Sequence, residues 1–155
     1  MAAPYDYAQP IDTVSAPAPE DVTSQAVSSF DAARESFRQG DYASALQQTD
    51  AALAKTPNDT ALHEFRALCL FALGRYDEAA ASLFAVLSVG PGWDWSTLVG
   101  LYPNVETYTA QLRTLEDACR ANPQSAPDWF VLAYHYLTQG HNDAAVDLLR
   151  GDLGI

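Results

Sequence analysis

The feature that most constrains this chain is a self-similarity with a period of about 34 residues. "GDYASAL" at 40–46 aligns with "GRYDEAA" at 74–80, Leu53 with Leu87, and Pro57 with Pro91. A period of this length marks a supersecondary unit that buries its apolar face by stacking on its neighbours. The chemistry of the unit is that of a helical hairpin. Gly40 and Gly74 end a first helix, because glycine takes the left-handed C-cap conformation at little cost. Asp41 suits the N-cap of the next helix. Tyr42 and Tyr76 cover the seam between the two helices, and Ala45 and Ala79 are small where they cross closely. Pro57 and Pro91 stop the second helix, since proline lacks the N–H and restricts its predecessor.

The second half of the chain carries the start of the same unit more fully. Trp129-x2-Leu132-Ala133-x2-Tyr136 is followed by Gly140, Ala145 and Leu149. Trp95-x2-Leu98-Val99-x2-Tyr102 precedes it by the same interval, and Leu115, Ala118 and Pro123 complete that unit. Periodicity predicts an all-α chain of eight helices, at 26–39, 42–55, 60–73, 76–88, 94–102, 105–121, 126–139 and 142–150, without strands. Together these residues resemble the tetratricopeptide repeat. The resemblance covers about residues 26 to 150 and implies a right-handed superhelix of about four antiparallel hairpins, at 26–58, 60–92, 93–124 and 126–155.

The departures from the pattern are specific. Ser29 and His63 stand where the first two units want Trp, and Thr49 where the first wants an aromatic. From Pro91 to Pro123 the spacing falls to 32. Pro103-Asn104 comes before the expected glycine turn, so the first helix of the third unit is cut short and Asn104 caps a longer second helix. Trp93 is an aromatic the repeat does not ask for. Either local packing or a binding notch near Trp93, Gly100 and Tyr102 fills the gap. The fourth unit is incomplete: "RGDLGI", with the poor helix formers Gly151 and Gly154, replaces the continuing second helix. That end reads as a truncation, or as a surface continued by another molecule.

Residues 1–24 read as a disordered, proline-rich N-terminal tail, and residues 25–155 as the repeat domain. Four of the nine prolines fall in the tail, and alternating Ala and Pro in "SAPAPE" favours polyproline II. The formal charge is −12, from twenty carboxylates against eight Lys and Arg. With no basic cluster, nucleic acid and anionic membrane surfaces are disfavoured as partners. No stretch approaches the length of a spanning helix, so direct membrane insertion is not expected.

No catalytic or metal chemistry is legible. His63, His135 and His141 have no His or Cys three or four residues on, so no helix presents a metal pair. Each histidine is expected to be structural or at the surface. Nucleophile-elbow, zinc-helix and phosphate-loop motifs are absent. The adjacent acids in "DEA" at 77–79 and "LEDA" at 115–118 fall where solvated helix faces are expected. Cys69 and Cys119 read as small buried apolar residues. No enzyme activity, cofactor or metal is expected. Compartment stays open: free cysteines suit a reducing cytoplasm, and a leader removed ahead of residue 1 makes the chain periplasmic or extracytoplasmic.

The family resemblance implies a concave face lined by first helices, where ligands bind. It assigns Phe30, Arg34 and Phe37, then Glu64, Leu68 and Phe71, then Ser96 and Gly100, then Phe130, Tyr134 and Leu137, to which Trp93 is added. Only Arg34 is basic among them, so the clamp with which some members hold a peptide carboxylate is missing. Such an apolar, aromatic groove suits an amphipathic helix or extended segment; the alternative is that Phe37, Phe71 and Leu137 pack between hairpins. The function expected is a non-catalytic protein–protein interaction scaffold taking a peptide or partner domain. The alternative is a structural or oligomerisation module of a larger, envelope-associated protein, self-associating through its open C-terminal end.

Overall fold

The computed structural model describes residues 7–8, 10–11 and 20–150. Eight helices follow one another: α1 (Glu20–Arg38), α2 (Tyr42–Lys55), α3 (Thr60–Ala72), α4 (Tyr76–Leu87), α5 (Trp95–Val99), α6 (Val105–Ala121), α7 (Ala126–Thr138) and α8 (Asn142–Arg150). The fold is all-α, with no strand among the described residues. Two boundaries differ from the sequence reading by more than one residue. Helix α1 starts at Glu20, ahead of the expected 26. Pro19 stands immediately before it, and a proline is tolerated at a helix start, where its missing N–H has no intrahelical partner. Helix α5 stops at Val99 and keeps only five residues, with Gly100 as its C-cap. The "RGDLGI" end beyond Arg150 lies outside the described residues, as does most of the proline-rich N-terminal stretch.

Local chemistry accounts for the helix ends. Side chains of Asp41, Asp59, Asp94 and Asn104 accept hydrogen bonds from the backbone N–H groups of Ser44, Ala61, Thr97 and Thr107 at 2.9 to 3.2 Å. Each satisfies a donor that the first helical turn leaves over, contributing about 1 kcal/mol. At the other end, α1, α3 and α7 close with one repeated motif. Gly40, Gly74 and Gly140 take φ of 83°, 75° and 84°. The N–H groups after them, of Asp41, Arg75 and His141, reach back to the carbonyls of Ser36, Leu70 and Tyr136 at 2.8 to 2.9 Å. A side chain at that left-handed φ is strained by about 1–2 kcal/mol. Gly74→Ala should therefore lower the urea unfolding free energy by about 1–2 kcal/mol, although nothing lies within 4 Å of an added Cβ. A loss no larger than an ordinary surface substitution gives, under about 0.5 kcal/mol, would show that the turn relaxes freely.

Three such glycines make three hairpins: α1–α2, α3–α4 and α7–α8. They stack, because α3 packs on α2 and α7 packs directly on α4. In chain order the third unit would separate α4 from α7. Instead α5 and α6 leave the stack and lie against the first helices of the other units. Tyr102 meets Phe37 edge-on with ring centroids 4.8 Å apart, and Tyr108 lies 6.1 Å from Phe71. Gln111 donates to the Tyr42 hydroxyl at 2.8 Å, and Arg38 donates to the Gly100 carbonyl at 3.3 Å. One continuous core results, running from Ala33 and Phe37 to Val131 and Ala145. Both cysteines are free and buried within it, as expected. Burial pushes the Cys119 thiol up to about 12 and also raises that of Cys69, so neither is a ready nucleophile.

Candidate protein interface

The inner-lining positions separate into two groups. Phe37, Glu64, Leu68, Phe71 and Tyr134 are all buried. Their cover is the chain's own third unit and α7. Phe71 stacks on His135 with centroids 4.1 Å apart, and the Tyr108 hydroxyl is hydrogen-bonded to His135 Nδ1 at 2.9 Å. Gln139 in turn donates to Tyr108 Oη at 3.0 Å. Burial alone pushes His135 down to about 3, which keeps the ring neutral and able to accept. Tyr108, buried at the meeting point of Phe71, Tyr102, Trp95 and His135, was not among the residues picked from sequence.

Glu64 is a carboxylate drawn into this interior. It accepts from the Trp93 backbone N–H at 2.8 Å and from the Tyr134 hydroxyl. Burial raises its pKa, and the two donors act against that rise. Gly92 passes so close that a Cβ there would lie 2.9 Å from Glu64 Oε2 and 3.3 Å from Tyr134. The Gly92-Trp93 link is thus a packing junction between α3, α7 and the third unit. Beside it, Trp93 and Val89 border a pocket of about 140 Å³ with Thr60, Ala61, Glu64 and Val86. Gly100 and Tyr102 do not join it: Tyr102 is buried, donating to Gln111 at 2.6 Å, and Gly100 receives Arg38. The shortened helix therefore leaves its gap to aromatic packing, with only a small notch at Trp93.

The second group is at the surface. Arg34 and Ser96 are exposed, and Phe30 is half-buried against Phe65 with Arg34 over its ring at 5.0 Å. Arg34 is paired with Asp31. Phe130 is half-buried and Leu137 is 49% exposed. Sequence reasoning passed over Phe84, on α4, which is 66% exposed and lies 6.3 Å from Phe130 ring to ring. These two rings come together only because α7 docks on α4.

Among the described residues no cluster of His, Cys, Asp or Glu has metal-ligand geometry, and no helix is long and apolar enough to cross a membrane. Of the acids expected on solvated faces, Asp77, Glu78 and Asp117 are exposed. Glu116 is instead buried, between Arg113 and the Tyr136 hydroxyl.

Searches of curated proteins and of solved structures returned no match. The tetratricopeptide repeat family model matches residues 30–88, from the second half of α1 through α4. Repeats of this type generally mediate protein–protein interaction, and the family is a non-catalytic scaffold type. That match, the three glycine-closed hairpins and the third unit's Trp-x2-Leu-x3-Tyr residues fit a tetratricopeptide repeat protein.

Proposed function

We infer that this chain is a non-catalytic scaffold that binds a protein segment through the apolar patch of Phe84, Phe130 and Leu137. The observation that carries this reading is Phe84, a large aromatic two-thirds exposed in the last turn of α4 and backed by a second ring. Phe130 and Leu137 are two helical turns apart on α7 and share one face of it. Aromatic anchors on a rigid helical support are the usual carriers of binding energy. The inner positions support binding less well, since Phe37, Leu68, Phe71 and Tyr134 are occupied by the chain's own side chains. The ligand type that fits is the one expected for the groove, an amphipathic helix or extended apolar segment.

Affinity capture from the native host with wild type and Phe84→Glu, read with light scattering of the purified chains, tests this. Wild type should retain a partner that Phe84→Glu loses at least tenfold, while both give the same circular dichroism and both stay monomeric. Equal retention by the two chains overturns the surface assignment. Self-association lost in Phe84→Glu would favour the oligomerisation module instead.

A further inference from the structure

Two of the repeat's core positions in the second unit carry polar residues. His63 replaces the Trp of the pattern and Arg66 replaces its Leu, yet both are buried, at 0% and 4% exposure. Their polar atoms converge on one place, where α2, α3 and α4 meet. Arg66 Nε donates to Asp50 at 2.7 Å and its Nη1 to the buried Ser82 hydroxyl at 3.3 Å. His63 Nε2 lies 2.7 Å from the Pro57 carbonyl, which only accepts, so Nε2 carries the proton. In the neutral ring Nδ1 is then an acceptor.

That acceptor meets a donor from outside the repeats. The Tyr7 hydroxyl is 2.7 Å from His63 Nδ1, and the two rings meet edge to face at 5.3 Å. The Arg66 guanidinium lies 5.6 Å from the centre of the Tyr7 ring. Four residues on, Ile11 is 3% exposed against Ala85 and Val86 of α4. The cleft thus has a polar floor matched to an aromatic hydroxyl and an apolar shelf matched to a branched aliphatic.

We propose that this cleft is a peptide-docking site, filled in cis by the chain's own Tyr7 and Ile11. A partner segment with the same two anchors, a phenol and a branched aliphatic four residues later, reaches it by displacing these residues. Residues 12–19 alone separate Ile11 from α1. A tether this short sets an effective concentration of about millimolar. The resident segment therefore acts as a competitor that admits only partners whose affinity or concentration exceeds it. The site faces away from the Phe84 patch: Ser82, Ala85 and Val86 lie on α4 roughly 100–200° around its axis from Phe84. Loss of binding at one site is thus distinguishable from loss at the other.

The test uses the full chain and a fluorescent peptide of residues 1–19, followed by anisotropy. A Tyr7→Ala, Ile11→Ala double variant, which leaves the cleft itself intact, should bind the peptide at least about tenfold more tightly than wild type. Peptide carrying Tyr7→Phe should bind that variant about tenfold more weakly. Adding Arg66→Leu, which restores the repeat's own residue, should abolish binding while keeping the helical circular dichroism. If the double variant fails to fold, Ile11→Asp alone serves in its place with the same expectation. Equal binding to wild type and variant, no binding to either, or binding undiminished by Arg66→Leu overturns the proposal.

Discussion

Phe71→Ala should lower the unfolding free energy by about 3–5 kcal/mol, enough to leave a chain of this size barely folded. Phe71 is 2% exposed, and its ring is packed on His135 and close to Tyr108. Truncation removes these contacts and leaves a cavity that rigid helices on both sides cannot close. Phe71→Glu should be worse, because it strands a carboxylate in that cavity. Phe84→Ala provides the contrast: with most of its ring already in water, it should change stability by no more than about 1 kcal/mol. Urea denaturation followed by circular dichroism measures all three. Should Phe71→Ala cost under about 1 kcal/mol, far below a buried-ring truncation, α5 and α6 do not cover the inner face in solution, and an open groove returns as the binding surface.

Acidification should destabilise the protein well above the pH at which its carboxylates are protonated. His135 is held down to about 3 by burial, against about 6.5 in the unfolded chain. Its folded pKa is depressed, so the unfolded state takes up the proton first. The stability tied to the neutral ring is fully present above about pH 6.5 and is lost as pH falls towards 3. From about pH 7 to 5 this amounts to about 2 kcal/mol for His135 alone. Burial also lowers His63, which adds in the same direction. Glu64 works the other way. Its raised pKa means its contribution is greatest at low pH and is lost as pH rises through the folded value, which softens the acid limb. His135→Phe keeps a ring on Phe71 but cannot take up a proton. Over the same acid interval its urea midpoint should fall less than that of wild type, by an amount worth about 2 kcal/mol. Parallel midpoint shifts in the two proteins would falsify the assignment of this acid sensitivity to His135.

Helix ends were largely legible in the sequence. Asp41 and Asn104 cap as the sequence predicts, and α2, α6 and α8 have the expected bounds. Gly40, Gly74 and Gly140 sit in the left-handed turns assigned to them. Caps and turns are settled by groups within about six residues of each other, and that information is written contiguously. The start of α1 was missed because the prolines before Glu20 read as a break, although a proline ahead of a first turn permits a helix to begin there.

The candidate interface was only half legible. The aromatic positions are real packing positions, but the repeat pattern cannot say what packs on them. Phe37 and Phe71 look the same in sequence whether they face a ligand or Tyr102 and Tyr108. That choice depends on whether the third unit stays in the stack. Its lost glycine turn, early Pro103-Asn104 and shortened proline spacing signalled an irregular unit, without indicating where it would go.

By itself, then, the sequence determined eight helices, their hairpin turns and the repeat pattern, because these rest on local backbone chemistry and periodic burial. Tertiary structure alone decided that α7 docks on α4, that α5 and α6 close the inner face, and that His63 and Arg66 turn towards Tyr7. Each of these is a competition between apolar or hydrogen-bonding surfaces far apart in the chain, and is resolved only when those surfaces meet.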